Sequence, residues 1–563
     1  MKNIFIALSK SDLLQIETLI NSYELYEIYY FDPTLMDQIE IMNLKNSYFI
    51  YPDGIDTLIN IEFMSRKLSY DFEKDLTKSI NNTGLLLDFV GWQMFTLRPM
   101  FANILWYSQL WNKIIDKIPE GKYIIIVNNN PQYFQQPSFI PSILLLDYLN
   151  IKGIPFEAFT YGEINNDTDA IVGIEINQKS PRPYKILSHL PTILYDGDFI
   201  NNCISKIFPK SKVLSIGAKH WNFEVSSDNK IGVFRGGKRD KIAFDLNWTD
   251  AEYSNLVDAI DLLLRPYIKF DYYRSVQAKS LAKMYESEII SLILLRQYFK
   301  ESLPELILIS DHDAGLHGAL ITFANEYKIK KIVVPHSKFI LDNGFLNSNC
   351  TYLNHPLQKY IPSITNGFSS RSNLKFPIKH VFKNPKNCNL NSIGLVLNSI
   401  SENGVLGVNL NEYINGIILI NNLCKENGIS LKIRSRPGMS LSSLLSKSVN
   451  FDQMQIIYES NKSIDDYFQG IDLCIMYHVP SSALLSSLEA GKAVININPS
   501  GLDFWVSGYI DEMIVPAFNI SDGIEFLKKI MFDEYFNFSS KQLIRYFDKI
   551  NNSNSFRKLI NNQ

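Results

Sequence analysis

Short apolar runs alternating with longer stretches of helical period recur from one end of this chain to the other, and nothing else in it restricts the fold so strongly. A run of about five apolar residues followed by a helix and then another apolar run is the pattern of βα units, whose crossover helices cover both faces of a largely parallel sheet. NIFIAL, YEIYYF, KYIIIVNNNP and IPFEAFTY supply the first set of strands. LILIS, the helix GALITFANEYKI and KKIVVPHS make one clean strand, helix, strand unit. From residue 392 the units are the clearest: SIGLVLNSI, SLKIRSRPG, MQIIYES, DLCIMYH and AVININ, each separated by a helical segment. The class is α/β, and 563 residues are more than one core accommodates.

Composition excludes several partners. A formal net charge of -3 removes the strong electrostatic reason to expect a nucleic-acid partner, whose backbone needs a clustered positive surface, and leaves local basic patches open. The five cysteines, at 203, 350, 388, 424 and 474, are odd in number, widely scattered and without CxxC spacing, so neither a disulfide framework nor a zinc site is expected. The opening MKNIFIALSKSDLL has too short an apolar run for a secretory leader and reads as a first strand. No window reaches the roughly 18 to 20 uninterrupted apolar residues of a spanning helix. A cytoplasmic protein is expected, with peripheral attachment to the inner face of a membrane compatible with this pattern.

The alternation breaks in a few places, and these suggest boundaries. Residues 1–358 read as an N-terminal α/β region, of which 1–115 form a candidate subdomain. The stretch 359–391, rich in Pro, Ser, Asn and Lys, reads as a linker. Residues 392–520 read as a Rossmann-like domain, and 521–563 as C-terminal helices that could cross back to the N-terminal side.

The stretch with the clearest chemistry is MYHVPSSALLSSLEAGKAVININP, residues 476–499. Ligands of an open parallel sheet bind outside the carboxyl ends of its strands, where helix N-termini offer unpaired N–H groups and a partial positive charge. Ser481 and Ser482 stand at such a junction. Serine is a favoured N-cap, so the pair either caps its helix or shares the helix start with a phosphate. One unit earlier SLKIRSRPG ends in Arg434, Arg436 and Pro437, which brings two guanidiniums suited to bidentate phosphate contact to the same sheet edge. His478 precedes the serines, and Glu489 lies one and a half to two turns into the helix that follows them.

This layout resembles that of the nucleotide-sugar half of a GT-B glycosyltransferase. The order of a basic-Pro strand end, a Ser-Ser helix start about 45 residues later and then GKAVIN resembles the HP and SS motifs of bacterial sialyltransferases and capsule Kdo transferases, which use CMP-activated sugars. Arg436-Pro437 stands where those families carry His-Pro, so the resemblance gives the phosphate role of that histidine to arginine, with His478 available to compensate. The resemblance implies two Rossmann-like domains facing a cleft, with extra N-terminal elements here. It implies a donor nucleotide on 392–520, an acceptor glycan or glycolipid on the N-terminal side, and no metal or cofactor.

LILISDHDAGLHGALITFANEYKIKKIVVPHS, residues 306–337, is similar to the last unit of the acceptor domain in surface-polysaccharide transferases. Asp311, His312 and Asp313 follow one strand, and His336 and Ser337 end the next. Glycosyl transfer needs a general base for the acceptor hydroxyl and charge stabilisation for the departing phosphate. Asp311 or Asp313 is the first candidate for the base, and Asp196 or Asp198 in LYDGDF the second, although each is equally at home as a helix cap or in a turn. VFRGGKRDK lacks P-loop spacing, and His355-Pro356 in NHPLQKY reads as structural. A UDP- or GDP-sugar transferase, a teichoic-acid-type polyol-phosphate transferase and a non-catalytic glycan-assembly or binding protein are the alternatives.

Overall fold

The computed structural model describes residues 2–52, 58–81, 87–128, 132–133, 136–137, 141–162, 173–175, 185–189, 213–218, 230–234, 248–310, 316–334, 350–358, 370–373, 389–397, 400–402, 405–406, 408–435, 444–445, 456–458, 462–478, 480–499 and 510–553. Within them the apolar runs form three separate doubly wound sheets, so the expected α/β class holds.

The first sheet contains β1 (Asn3–Ala7), β2 (Tyr26–Tyr30), β3 (Ser47–Phe49), β4 (Lys122–Asn128) and, beyond the short hairpin β5 (Gln132–Tyr133) and β6 (Gln136–Pro137), β7 (Phe156–Tyr161). Its order is β3-β2-β1-β4-β7, all parallel. The run at KYIIIV therefore joins the strand that opens the chain. The second sheet takes β8 (Gly173–Glu175), β9 (Ile186–His189), β10 (Val213–Ala218), β11 (Lys230–Phe234), β12 (Leu306–Ser310), β13 (Lys330–Val334), β14 (Thr351–Asn354) and β15 (Ser370–Asn373). The order is β15-β14-β13-β12-β9-β10-β11-β8, parallel except for β8 at the edge. β15 falls within the Pro- and Ser-rich stretch 359–391.

The third sheet takes β16 (Ser392–Leu397) and, past the small hairpin β17 (Ser401–Glu402) and β18 (Val405–Leu406), β19 (Ser430–Arg434), β20 (Ile456–Tyr458), β21 (Leu473–Tyr477), β22 (Ala493–Asn498) and β23 (Ala517–Asn519). All are parallel in the order β20-β19-β16-β21-β22-β23. Numbered within each sheet, with edge strand β8 set aside, the first sheet runs 3-2-1-4-5, the third 3-2-1-4-5-6 and the second 3-2-1-4-5-6-7. The chain thus reverses its winding between β1 and β4, between β9 and β12, and between β16 and β21, and each reversal opens a crevice at the carboxyl ends of the two strands.

The helices are α1 (Lys10–Leu19), α2 (Met36–Ile41), α3 (Leu58–Asn81), α4 (Met94–Ile114), α5 (Pro141–Lys152), α6 (Asp250–Leu264), α7 (Asp271–Tyr298), α8 (His317–Glu326), α9 (Leu410–Glu426), α10 (Ile464–Gln469), α11 (Ser482–Glu489), α12 (Ile520–Lys529) and α13 (Tyr535–Asn551). They cover both sheet faces, which is why β21 and β22 are buried at every residue and read as unbroken apolar runs rather than alternating ones. α3, α4, α6 and α7 pack on one another, and α7 continues the layer onto α8.

The last helix docks through a side chain that replaces missing ladder partners. Gln542 accepts from Val494 N–H at 2.7 Å and donates to the carbonyls of Val494 and Ile514 at 2.6 and 2.7 Å. Tyr546 of α13 stacks on the ring of His355, whose Nδ1 accepts from Leu357 N–H at 3.2 Å. Among the described residues no helix is long and apolar enough to cross a membrane.

Candidate functional site

The third sheet's crevice can be built outward from its register. Arg434 pairs with Val396, Val396 with Met476 and Met476 with Asn496, so these four residues lie in one row across the sheet. Adjacent strands stand about 4.8 Å apart, which puts the Arg434 backbone about 10 Å from that of Met476. Arg434 is the last residue of β19, and its Nη2 donates to the Lys462 carbonyl at 3.3 Å.

Beyond Met476, β21 ends at Tyr477 and the chain turns sharply. His478 has φ +75°, in the left-handed region. A non-glycine residue held there costs on the order of 1–3 kcal/mol and persists only where its surroundings over-determine it. His478 is buried, its N–H donates to the Ile497 carbonyl at 2.8 Å, and its carbonyl accepts from Asn496 Nδ2 at 3.0 Å. Its ring meets Tyr413, in the first turns of α9, edge to face at 6.3 Å. The Tyr477 hydroxyl donates to the Tyr413 carbonyl at 2.7 Å, and burial pushes this phenol far above its ordinary range. Gly416 leaves the room: a Cβ there would lie 2.1 Å from the Tyr477 hydroxyl.

Past residue 479, which lies outside the described residues, Pro480 leads to Ser481, the N-cap of α11. Ser481 is extended, and its hydroxyl accepts from Ala483 N–H at 3.4 Å. Ser482 is the first helical residue, half-buried, and its carbonyl accepts from the Ser486 hydroxyl at 3.4 Å. Arg434, His478, Ser481 and Ser482 all stand at the carboxyl edge of the third sheet. Arg436 and Pro437 lie outside the described residues. Glu489 ends α11, so it stands about 10 Å from the serines along the helix. It is buried, and its charge adds to the burial that raises the Tyr546 phenol.

Asp196, Asp198, Asp311, His312, Asp313, His336 and Ser337 lie outside the described residues. The elements they adjoin in sequence are described. Asp311 follows β12 directly, Asp196 follows β9 by seven residues, and β9 and β12 flank the second crossover.

The start of α8 is held by residues from distant parts of the chain. Its cap residue, Leu316, supplies no side-chain bond. Instead Ala319 N–H donates to Glu288 Oε2 at 2.7 Å, and Gln93 Nε2 donates to the other oxygen at 2.7 Å. Gly318 lets Trp92 pass, for a Cβ there would be 2.2 Å from the indole, whose Nε1 donates to Thr322 at 3.0 Å. Beside them Glu73 accepts from Gly91 N–H, Gln93 N–H and the Tyr285 hydroxyl at 2.6, 2.6 and 2.9 Å. Burial pushes the Glu73 carboxyl up to about 8, against those three bonds, which favour its charged form.

No protein-family model and no curated protein matches this sequence. Among solved structures, the chain is similar to the glycotransferase of kitacinnamycin, with a TM-score of 0.37, 9% identity, and coverage of 68% of this chain and 99% of that one. It is similar to the spinosyn rhamnosyltransferase SpnG complexed with thymidine diphosphate, with a TM-score of 0.34, 10% identity, and coverage of 67% and 98%. UDP-GlcNAc 2-epimerase from Neisseria meningitidis bound to UDP-GlcNAc gives a TM-score of 0.32, 11% identity, and coverage of 65% and 97%. At these values the functional reading rests on the residues of this chain.

Helix starts differ in charge. Several described helices begin against a carboxylate: α1 has Asp12, α2 Asp37, α9 Glu412, α10 Asp465 and Asp466, and α12 Asp522 in the first turn, while α8 has Glu288. α11, like α3, α4, α5 and α13, has no acidic residue in its first turn, and its cap is a neutral hydroxyl. The partial positive charge of α11 is therefore not offset from within its own first turn, and an anion is the group it would favour.

Sequence reasoning passed over Asn496, Tyr413, Gly416, Glu73, Gln93 and Glu288. Asn496 left a signal, a polar residue inside the apolar run AVININ. The others left none, because their partners are far away in the chain.

Proposed function

We propose that this protein is a glycosyltransferase that holds a nucleotide-activated sugar at the carboxyl edge of the third sheet and passes the sugar to a hydroxyl of a surface-glycan acceptor on the N-terminal side. One observation carries the reading: α11 starts beside the β16–β21 crossover with a neutral serine cap and no carboxylate in its first turn. A nucleotide phosphate accepting from the first-turn N–H groups and the Ser481 and Ser482 hydroxyls, with Arg434 at the end of β19, two strands from β21, and Arg436 two residues after it in the chain, uses each of these donors.

The chemistry follows from the same arrangement. As the sugar leaves, negative charge grows on the phosphate oxygen, and fixed N–H dipoles and guanidiniums stabilise that charge more than the ground state. Asp311, Asp313 or Asp196 removes the acceptor hydroxyl proton, the oxygen attacks the anomeric carbon, and the bond to phosphate breaks. Residues 1–358 serve the acceptor, 392–520 the donor. The SRPG, Ser-Ser and GKAVIN order supports a CMP-linked donor, a nonulosonic acid or Kdo.

The test is a thermal-shift screen of the full chain against CMP, CDP, UDP, GDP and ADP, since a ligand bound only by the native state raises the melting temperature. CMP alone is expected to stabilise, and the shift is expected to shrink in the Ser481→Ala, Ser482→Ala double variant. Stabilisation by UDP or GDP would keep the phosphate site and discard the CMP donor. No shift with any nucleotide would overturn the reading.

A further inference from the structure

We infer that Asn496 is a positioning residue of the phosphate site: by clamping the left-handed turn at His478 it sets the direction in which the chain enters α11. The inference rests on the proposed nucleotide site and names a residue that decides its geometry.

β22 is buried along its whole length, and Asn496 is fully inaccessible within it. A side-chain amide in such a strand loses its water on folding, so its N–H groups need partners. Both go to the neighbouring strand: Asn496 Nδ2 donates to the Met476 carbonyl at 2.9 Å and to the His478 carbonyl at 3.0 Å. One acceptor lies within β21 and the other just past its end. The side chain therefore spans the point where β21 stops, while His478 N–H donates to Ile497 and extends the ladder by one residue.

Two of these three bonds end on residue 478 and the third on Met476, two residues before it, so the turn is fixed from the β22 side. The other side is tied to α9, where the His478 ring rests on Tyr413 and the Tyr477 hydroxyl reaches the Tyr413 carbonyl. β21 and α9 belong to the two strands that flank the crossover. The turn at 478 sends the chain through Pro480 into Ser481, so the orientation of the first-turn N–H groups depends on it. Glycine would adopt this conformation without support. The sequence uses a buried histidine held by a buried asparagine instead, which makes the turn dependent on Asn496.

That dependence gives the test. Nucleotide affinity is measured by calorimetry, with the nucleotide found in the screen, in the parent, Asn496→Leu, His478→Gly and the double variant. The clamp predicts at least a tenfold loss of affinity for Asn496→Leu in the parent, and less than a twofold further loss once residue 478 is glycine. An equal penalty in both backgrounds, or none in the parent, overturns the inference. If Asn496→Leu gives no cooperative melt, Asn496→Ala is carried through the same cycle.

Hydrogen exchange over residues 481–485 separates this inference from the function it rests on. Exchange should accelerate in Asn496→Leu and return to the His478→Gly level in the double variant. If the parent binds no nucleotide, the glycosyl-transfer reading fails, and exchange alone then decides the clamp: the same pattern supports it and unchanged exchange overturns it.

Discussion

The second and third sheets each launch a helix from the strand across their crossover, α8 after β12 and α11 after β21, and they treat the two helix starts in opposite ways. α8 is capped from outside its own segment by the Glu288 carboxylate, itself bonded to Gln93 and packed beside the buried Glu73. α11 is capped by its own Ser481 hydroxyl and has no acid in its first turn. Topology is equal at the two places, so the difference lies in charge. A carboxylate against the amides of α8 uses up that helix start, and the serine of α11 leaves a site for an anion. Under the proposed function, the donor phosphate is the anion that α11 receives.

Removing the carboxylate should have the largest effect, and on stability alone. Glu288→Ala strips the partner from the Ala319 N–H and from the Gln93 amide, both buried. Each group left unsatisfied costs about 1–3 kcal/mol, so denaturant unfolding should report a loss of about 2–6 kcal/mol. Nucleotide affinity should stay within about twofold. A drop in affinity as large as the drop in stability would mean that the two helix starts are not independent.

The converse change gives α11 the charge that α8 already meets. Aspartate is as good an N-cap as serine, so Ser481→Asp should leave the melting temperature within about 2 °C of the parent. A negative charge about 4 Å from a phosphate is repelled by a few kcal/mol at an effective dielectric near 20, and salt reduces this. A tenfold to hundredfold loss of nucleotide affinity, about 1.4–2.8 kcal/mol, is the expected result in calorimetry. Unchanged affinity would break the comparison, because charge at the α11 start would then be irrelevant.

What the sequence revealed in advance follows the range of the interactions. Apolar runs and helical periods are local, so the strands LILIS, KIVV, LCIMY and AVININ and the helices between them could be read directly, and Ser481 could be recognised as a cap because its partner is two residues away. Strand order is non-local. Nothing in KYIIIV states that it pairs with NIFIA, more than a hundred residues earlier. The same limit hid the cap of α8, which comes from Glu288, and the turn at His478, since a left-handed residue is legible only when it is glycine or asparagine. Glu489, read from the sequence as one and a half to two turns into the helix after the serines, is the last residue of α11.

Taken one pH unit at a time, the smallest effect separates the two helix starts by pH. Burial raises the Glu73 carboxyl from 4.5 to about 8, so between those values the folded chain keeps a proton that the unfolded chain releases. The folded state then binds more protons than the unfolded one, and this group's contribution to stability, complete below pH 4.5, is lost as pH rises toward 8. The slope is at most about 1.4 kcal/mol per pH unit. Glu73→Gln should flatten it, which unfolding at pH 5, 6, 7 and 8 will show. Glu73 bonds to Gln93, Gln93 to Glu288, and Glu288 to the first turn of α8, so hydrogen exchange at residues 317–320, corrected for its intrinsic pH dependence, should follow the same titration. The first turn of α11 holds no carboxylate, and exchange at 481–485 should not follow it. Equal pH dependence at both helices would show that the Glu73 network governs the whole molecule and that charge does not distinguish the two starts.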